Sequence, residues 1–151
     1  AAPSVNHART TDARMSLALN GTMLTFYNAA GVHGLLEAFG AARGHAAQLP
    51  AALPPVPVVA DDGGIRAALC IEWTRRANYA AVAQAAPNRV KTATIHWVDL
   101  YTSSITWQIR DQVALTTTID TLTRLHKTAI AVFLDGDEYA DYPTNERLHA
   151  A

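Results

Sequence analysis

The chain has one cysteine, Cys70, in 151 residues. A lone thiol excludes a disulfide within the chain and a cysteine-rich zinc site. Charge is also scarce. Asp, Glu, Lys and Arg make up 17% of the residues, against about 25% in an average soluble domain. The formal net charge is −1, so the broad cationic face that phosphate backbones require is missing, and nucleic acid is a poor candidate for the principal partner. The one basic doublet is Arg75-Arg76, and no polybasic run suggests an anionic membrane surface. No apolar stretch approaches the ~18 residues needed to span a bilayer.

Catalytic signatures are missing too. The sequence holds neither of the glycine-rich phosphate motifs Gly-x-x-x-x-Gly-Lys-Ser/Thr and Gly-x-Gly-x-x-Gly, and no Gly-x-Ser-x-Gly nucleophile elbow. Six histidines are present, His7, His33, His45, His96, His126 and His149, with no His-x-His or His-x-x-x-His pair. His33 and Glu37 stand four apart, a spacing that fits a helix-surface pair better than a metal site. Asp135, Asp137, Asp141 and Glu146 fall at positions 1, 3, 7 and 12 of an EF-hand count. Ala140 stands where that loop needs glycine and Pro143 interrupts it, so an acidic turn is expected. No cofactor or metal site follows from these residues.

What is present is apolar. Half the residues are hydrophobic, enough for the core of one domain. Residues 1–14 read as a polar tail and 15–151 as a single globular domain. The tail, with Arg9, Arg14 and several hydroxyl residues, is equally like an ordinary polar segment and the end of an organelle transit segment. Alanine replaces much of the missing charge, as a chain covered by partners tolerates or as codon bias produces.

Met15 to Leu19 and Thr22 to Tyr27 alternate in polarity around Asn20-Gly21, which predicts a hairpin in preference to a glycosylated Asn-Gly-Thr. Val32 to Ala47 reads as a helix on Leu35, Leu36 and Phe39, weakened by Gly40 and Gly44. Pro50, Pro54, Pro55 and Pro57 make a stiff connector. Val56 to Ala60 is then an edge strand, Asp61 to Gly64 a turn, and Ile65 to Trp73 a buried strand in which Cys70 acts as a small hydrophobe. Thr74 caps a helix through Ala86, with Tyr79 and Val82 inward, ended by Pro87-Asn88. Val90 to Leu100 is a strand with Ile95, Trp97 and Val98 buried. Thr102 to Val113 fits a hairpin strand on Ile105, Trp107 and Ile109, or a helix on Ile105, Ile109 and Val113, with propensity favouring the strand. Thr118 to His126 is helical. Thr128 to Leu134 is a buried strand, followed by a turn at Asp135-Gly136 and a return from Glu138 to Tyr142.

Leu69-Cys70-Ile71-Glu72-Trp73 and the run from Thr128 to Asp137 carry a further pattern. The first resembles the central strand of a thioredoxin-like domain, which ends in Trp before the active-site helix. The second resembles that family's later strand with its acidic glycine turn. The resemblance spans Leu69 to Tyr142, about half the chain, and implies a thioredoxin-like core. Thr74-Arg75-Arg76-Ala77 stands where the family has Cys-x-x-Cys, and Thr128 where it has a cis-proline, so the resemblance implies no redox activity.

The expected fold is an α/β or α+β mixed-sheet sandwich, thioredoxin-like on that resemblance. The expected function is that of a non-catalytic accessory or structural subunit of a larger protein assembly, with a mitochondrial complex on the matrix side as one setting. Its partners would be other protein subunits, met through Arg75, Arg76, Trp97 and Trp107, since tryptophan and arginine are enriched at interface hot spots. Arg75 and Arg76 at a helix start would also suit an anion, and Trp97 and Trp107 would also suit mutual packing across a hairpin. A small enzyme built from scattered His and carboxylate residues, and a peptide- or ligand-binding module using an exposed sheet edge, are the alternatives.

Overall fold

The computed structural model describes residues 2–19, 21–54 and 69–143. Its content is mixed, with two helices and two sheets, an α+β composition. The elements are β1 (Ser4–Asn6), β2 (Arg14–Leu19), β3 (Thr22–Phe26), α1 (Ala29–Arg43), β4 (Leu69–Trp73), β5 (Tyr79–Pro87), β6 (Thr94–Thr102), β7 (Ile105–Ile109) and α2 (Gln112–Val132). Contacts group the chain into two units, Ala1–His33, Pro54–Arg76 and Arg124–Asp141 in the first, Gly34–Leu53, Ala77–Thr123 and Tyr142–Ala151 in the second.

The first unit holds a mixed sheet in the order β1-β2-β3-β4. The expected hairpin is its centre. Met15 pairs with Phe26 and Leu17 with Leu24, which puts all four side chains on one buried face. Gly21 takes φ 77°, the left-handed conformation the tight turn needs, and Asn20 lies outside the described residues. β4 joins β3 in parallel, with Phe26 opposite Trp73 and their rings stacked 5.5 Å apart. Trp73 is a core residue, as expected. Cys70 is not: it is exposed, because it shares a face of β4 with Glu72, opposite the face on which Ile71 and Trp73 pair with Leu24 and Phe26. The expected strand Val56–Ala60, the turn Asp61–Gly64 and residues 65–68 of the fourth strand lie outside the described residues. The polar N-terminal segment docks on its own unit. β1 pairs with β2, and Arg9 donates its backbone N–H to the Val132 carbonyl and its guanidinium to that of Phe133.

α1 begins earlier than the hydrophobic spacing indicates. Asn28 is its N-cap, taking the Gly31 N–H at 2.7 Å, and the Asp135 carboxylate takes the Ala29 and Ala30 N–H groups at 2.8 and 3.1 Å. Four orphan donors at a helix start need acceptors, and three are met by side chains here.

Two segments adopt the opposite structure to the one their sequence suggests. Thr128 to Leu134 is not a strand: through Val132 it is the last part of α2. Buried Leu125, Ala129, Val132 and Phe133 follow a helical period, which a seven-residue apolar run does not distinguish from a buried strand. The helix is followed by a turn at Gly136, where a Cβ would meet the Ile130 carbonyl well inside van der Waals contact, and no strand follows from Glu138 to Tyr142. Conversely, the segment expected as a helix from Thr74 to Ala86 holds strand β5 in the second unit. Its alanines favour helix, but tertiary pairing along nine residues overrides that preference.

The second unit's sheet is antiparallel, in the order β5-β6-β7. The Thr102–Val113 ambiguity resolves as a hairpin, turned at Ser103 with φ 53°, followed by α2, whose N-cap Asp111 takes the Ala114 N–H at 2.7 Å. Val98 is buried as expected, in phase with Leu100 and Thr102, while Ile95 is exposed and Trp97 half-buried, so these two take the opposite face.

The two ends of the β5–β6 ladder define which way each β5 residue turns its backbone. Asn88 donates its N–H to the Ala93 carbonyl at 2.8 Å, and the Asn78 carbonyl accepts from Ser103 at 2.9 Å. In an antiparallel ladder such exchanging pairs alternate along the strand. Even-numbered residues 80 to 86 therefore bond to β6, and Ala81, Ala83 and Ala85 turn their N–H and C=O groups to the edge that no described strand covers. Ala83→Pro is expected to leave the ladder whole, with a melting temperature close to that of the parent. Gln84→Pro removes an inward bond and is expected to cost about 1–3 kcal/mol. Thermal denaturation of the two variants side by side checks the assignment.

In the first unit, Tyr27 donates to Glu72 Oε1 at 2.9 Å, and this bond, aided by desolvation and the carboxylate charge, raises the phenol above its ordinary value. The bond's stabilisation is present below the ordinary tyrosine pKa of about 10 and is lost as pH rises through the raised value. Glu72→Ala is expected to return Tyr27 to the ordinary range, read by tyrosine-resolved NMR titration.

Candidate interaction site

Sheet β5-β6-β7 has two unlike faces. Cross-strand partners share a face, so the pairings Ala83↔Val98, Ala81↔Leu100 and Leu100↔Trp107 place these residues together on the inner one. Trp107 is half-buried there, its ring 5.4 Å from Phe39 in an edge-to-face contact and its indole N–H donated to Thr102 Oγ1 at 2.8 Å. It is a packing residue of this unit.

Trp97 lies on the opposite, outer face, so the two indoles do not pack together. That face carries Val82, 41% exposed, with Ile95 and Tyr101, each 39% exposed. At its middle the Asp99 carboxylate is buried and takes the Trp97 indole N–H at 3.1 Å. A polar group under an aromatic plate is tolerated because it is bonded. The result is a half-apolar platform beside the outward edge of β5.

A cleft of about 460 Å³ opens where β5 and β6 meet the segment after α1, lined by His45, Gln48, Ala83, Ala85, His96 and Trp97. A second depression of about 320 Å³ shares Gln48 and His96 and reaches Arg110. These sizes fall at the lower end of ligand sites. The linings contain imidazoles, amides and one guanidinium, and no carboxylate. Sequence reading misses this site because it assigns β5 to a helix. The signal available was Asn88, whose side chain takes the Thr92 N–H at 2.8 Å and so marks a turn between two strands.

Arg75 and Arg76 part company. Arg75 is exposed, and no helix starts at the doublet, so the anion-binding reading loses its helix N-terminus. Arg76 turns inward in the first unit and donates to His33 Nδ1 at 2.7 Å. A guanidinium only donates, so Nδ1 is an acceptor and the ring proton resides on Nε2, 3.5 Å from Asp141 Oδ1. The His33 ring also lies 5.5 Å from those of His126 and Tyr139. His126 Nε2 in turn donates to the Tyr139 carbonyl at 2.7 Å.

This cluster has the look of a catalytic relay, with two buried imidazoles beside the exposed Asp141. A general base needs a ring lone pair open to substrate, and the guanidinium already occupies that of His33. The cluster ties residues 139–141 to α1 instead. Of the acidic EF-hand positions, Asp135 caps α1, Asp141 faces His33 and Asp137 is exposed, while Glu146 lies outside the described residues, as does His149. Among the described residues no three His, Cys, Asp or Glu side chains are placed to hold a metal ion, and no helix is long and apolar enough to cross a membrane.

The chain matches no protein-family model, no curated protein and no solved structure. Its function therefore has to be argued from its own surface. The His33 assignment is open to direct measurement: long-range ¹H–¹⁵N correlation is expected to show the proton on Nε2 and a bare Nδ1. Arg76→Met is expected to destabilise the fold by about 1–3 kcal/mol, the range for leaving a buried acceptor unpaired.

Proposed function

We propose that this protein is a non-catalytic interaction module, an accessory subunit that docks into a larger protein assembly through the β5 edge and the adjoining outer face. The observation that carries this reading is an edge that no described strand covers. Ala81, Ala83 and Ala85 turn backbone donors and acceptors outward, and no side chain from Tyr79 to Pro87 is charged. Natural edge strands are commonly blunted by charge, bulges, interior prolines or short length. β5 is nine residues long and pairs without a bulge, and its one proline is terminal. Strand addition supplies affinity from such an edge through main-chain hydrogen bonds. Val82, Ile95, Trp97 and Tyr101 beside it add apolar and aromatic contact area of the kind enriched at interface cores.

A second reading rests on the cleft. Its imidazoles and amides suit a small polar or anionic ligand, and binding there would shift the NMR signals of His45 and His96 while leaving the outer face unchanged.

The docking reading is tested by native fractionation of lysate from the source, with mass spectrometry of co-migrating chains. The protein is expected in a stoichiometric complex well above its own 16.2 kDa. Val82→Lys, at an exposed position, is expected to leave the fold intact and release the chain from that complex. A wild-type chain that fractionates alone, or a Val82→Lys chain that stays in the complex, would overturn the reading.

A further inference from the structure

We infer that β5 pairs antiparallel with β5 of a second copy of this chain, about a two-fold axis through Ala83. The inference rests on the docking-edge reading and names an occupant for that edge.

Geometry limits the register strongly. In an antiparallel ladder, a residue that turns its backbone toward the neighbour must face another that does the same. Two copies of one strand therefore align so that facing residue numbers sum to an even value. Among such registers, the one centred on Ala83 brings all three outward-turned alanines, Ala81, Ala83 and Ala85, into facing pairs. It sets Ala81 against Ala85, Val82 against Gln84 and Ala80 against Ala86. Ala83 then exchanges both of its backbone bonds with its own counterpart, and Ala81 and Ala85 exchange theirs. Pro87 lacks a donor, but it sits at the strand's end, where one missing bond does not interrupt the ladder.

The side chains permit this approach. A two-fold axis sets like residues near like, so any charge close to it would meet its own sign. No charge lies between Tyr79 and Pro87, and the residue on the axis is alanine. On the outer face the two Val82 side chains, each 41% exposed, become diagonal neighbours across the axis. The local sequence supplies an independent argument. Alanine is a poor strand former, yet among the described strands β5 pairs with β6 alone. A second ladder gives this weak strand bonds on both sides.

The test uses two cysteine variants in a Cys70→Ser background. In the Ala83-centred register the two Ala83 Cα atoms are about 5.5 Å apart, within the range a disulfide bridges. The two Ala86 Cα atoms would be about 20 Å apart. Mild oxidation is expected to convert the Ala83→Cys chain to a covalent dimer and to leave the Ala86→Cys chain uncrosslinked. Sedimentation equilibrium of the parent chain is expected to show mass rising from 16.2 kDa toward twice that value with concentration. Ala83→Pro, which removes an outward donor, is expected to hold it at the monomer mass without unfolding.

Equal crosslinking of both variants, or a parent chain that remains monomeric throughout, overturns the self-pairing. Hydrogen exchange separates that failure from failure of the docking reading. Fast exchange at Ala81, Ala83 and Ala85 in a persistent monomer overturns self-pairing alone. Slow exchange there in the monomer shows the edge already covered by its own chain and overturns both.

Discussion

Every backbone polar group removed from water must find a partner, and among the described strands of the second unit β6 alone meets this demand for β5. The β5–β6 ladder satisfies the even-numbered residues, and the odd-numbered ones face outward. The outward-turned alanines, the exposed face of Val82, Ile95 and Tyr101 and the cleft lined by Ala83 and Ala85 lie side by side on this unit.

The first unit meets the same demand by different means. Where α1 begins, its N–H groups are taken up by Asn28 and by Asp135, and where α2 ends, Arg9 reaches the Val132 and Phe133 carbonyls. Polar side chains that resemble reactive groups in the sequence serve this purpose. Asp135 is a cap in place of a calcium ligand, and His33 is clamped between a guanidinium and a carboxylate. These particular side chains serve the fold, while His45 and His96 line the open cleft of the second unit.

Much of the first sheet was legible in the sequence. Asn20-Gly21 between alternating runs named the hairpin, and Trp73 declared itself core at the end of an apolar run. The second half was less so. Ala-rich β5 carries a helical preference that only its pairing with β6 overrides, and the run from Thr128 to Leu134 suits either a buried strand or a buried helix. Ile95 and Trp97 of β6 mislead because they are apolar on a face that is open. Large apolar residues at an exposed position read as core when the partner surface is invisible to the sequence. Of the expected interface residues, Trp97 lies on the open face and Arg75 is exposed. Trp107 packs on Phe39 and Arg76 binds His33, since a sequence does not say which face a residue takes.

The bond between Asp135 and the start of α1 joins residues 106 apart in sequence. A helix usually finds its N-terminal acceptors nearby, so its first turn forms as soon as the local chain exists. Here the Ala29 and Ala30 donors wait for a carboxylate that is synthesised after every described strand and both helices. Closing so long a loop costs chain entropy before the contact returns anything. The opening turn of α1 is thus completed late, and on the ribosome it stays unfinished until Asp135 has emerged.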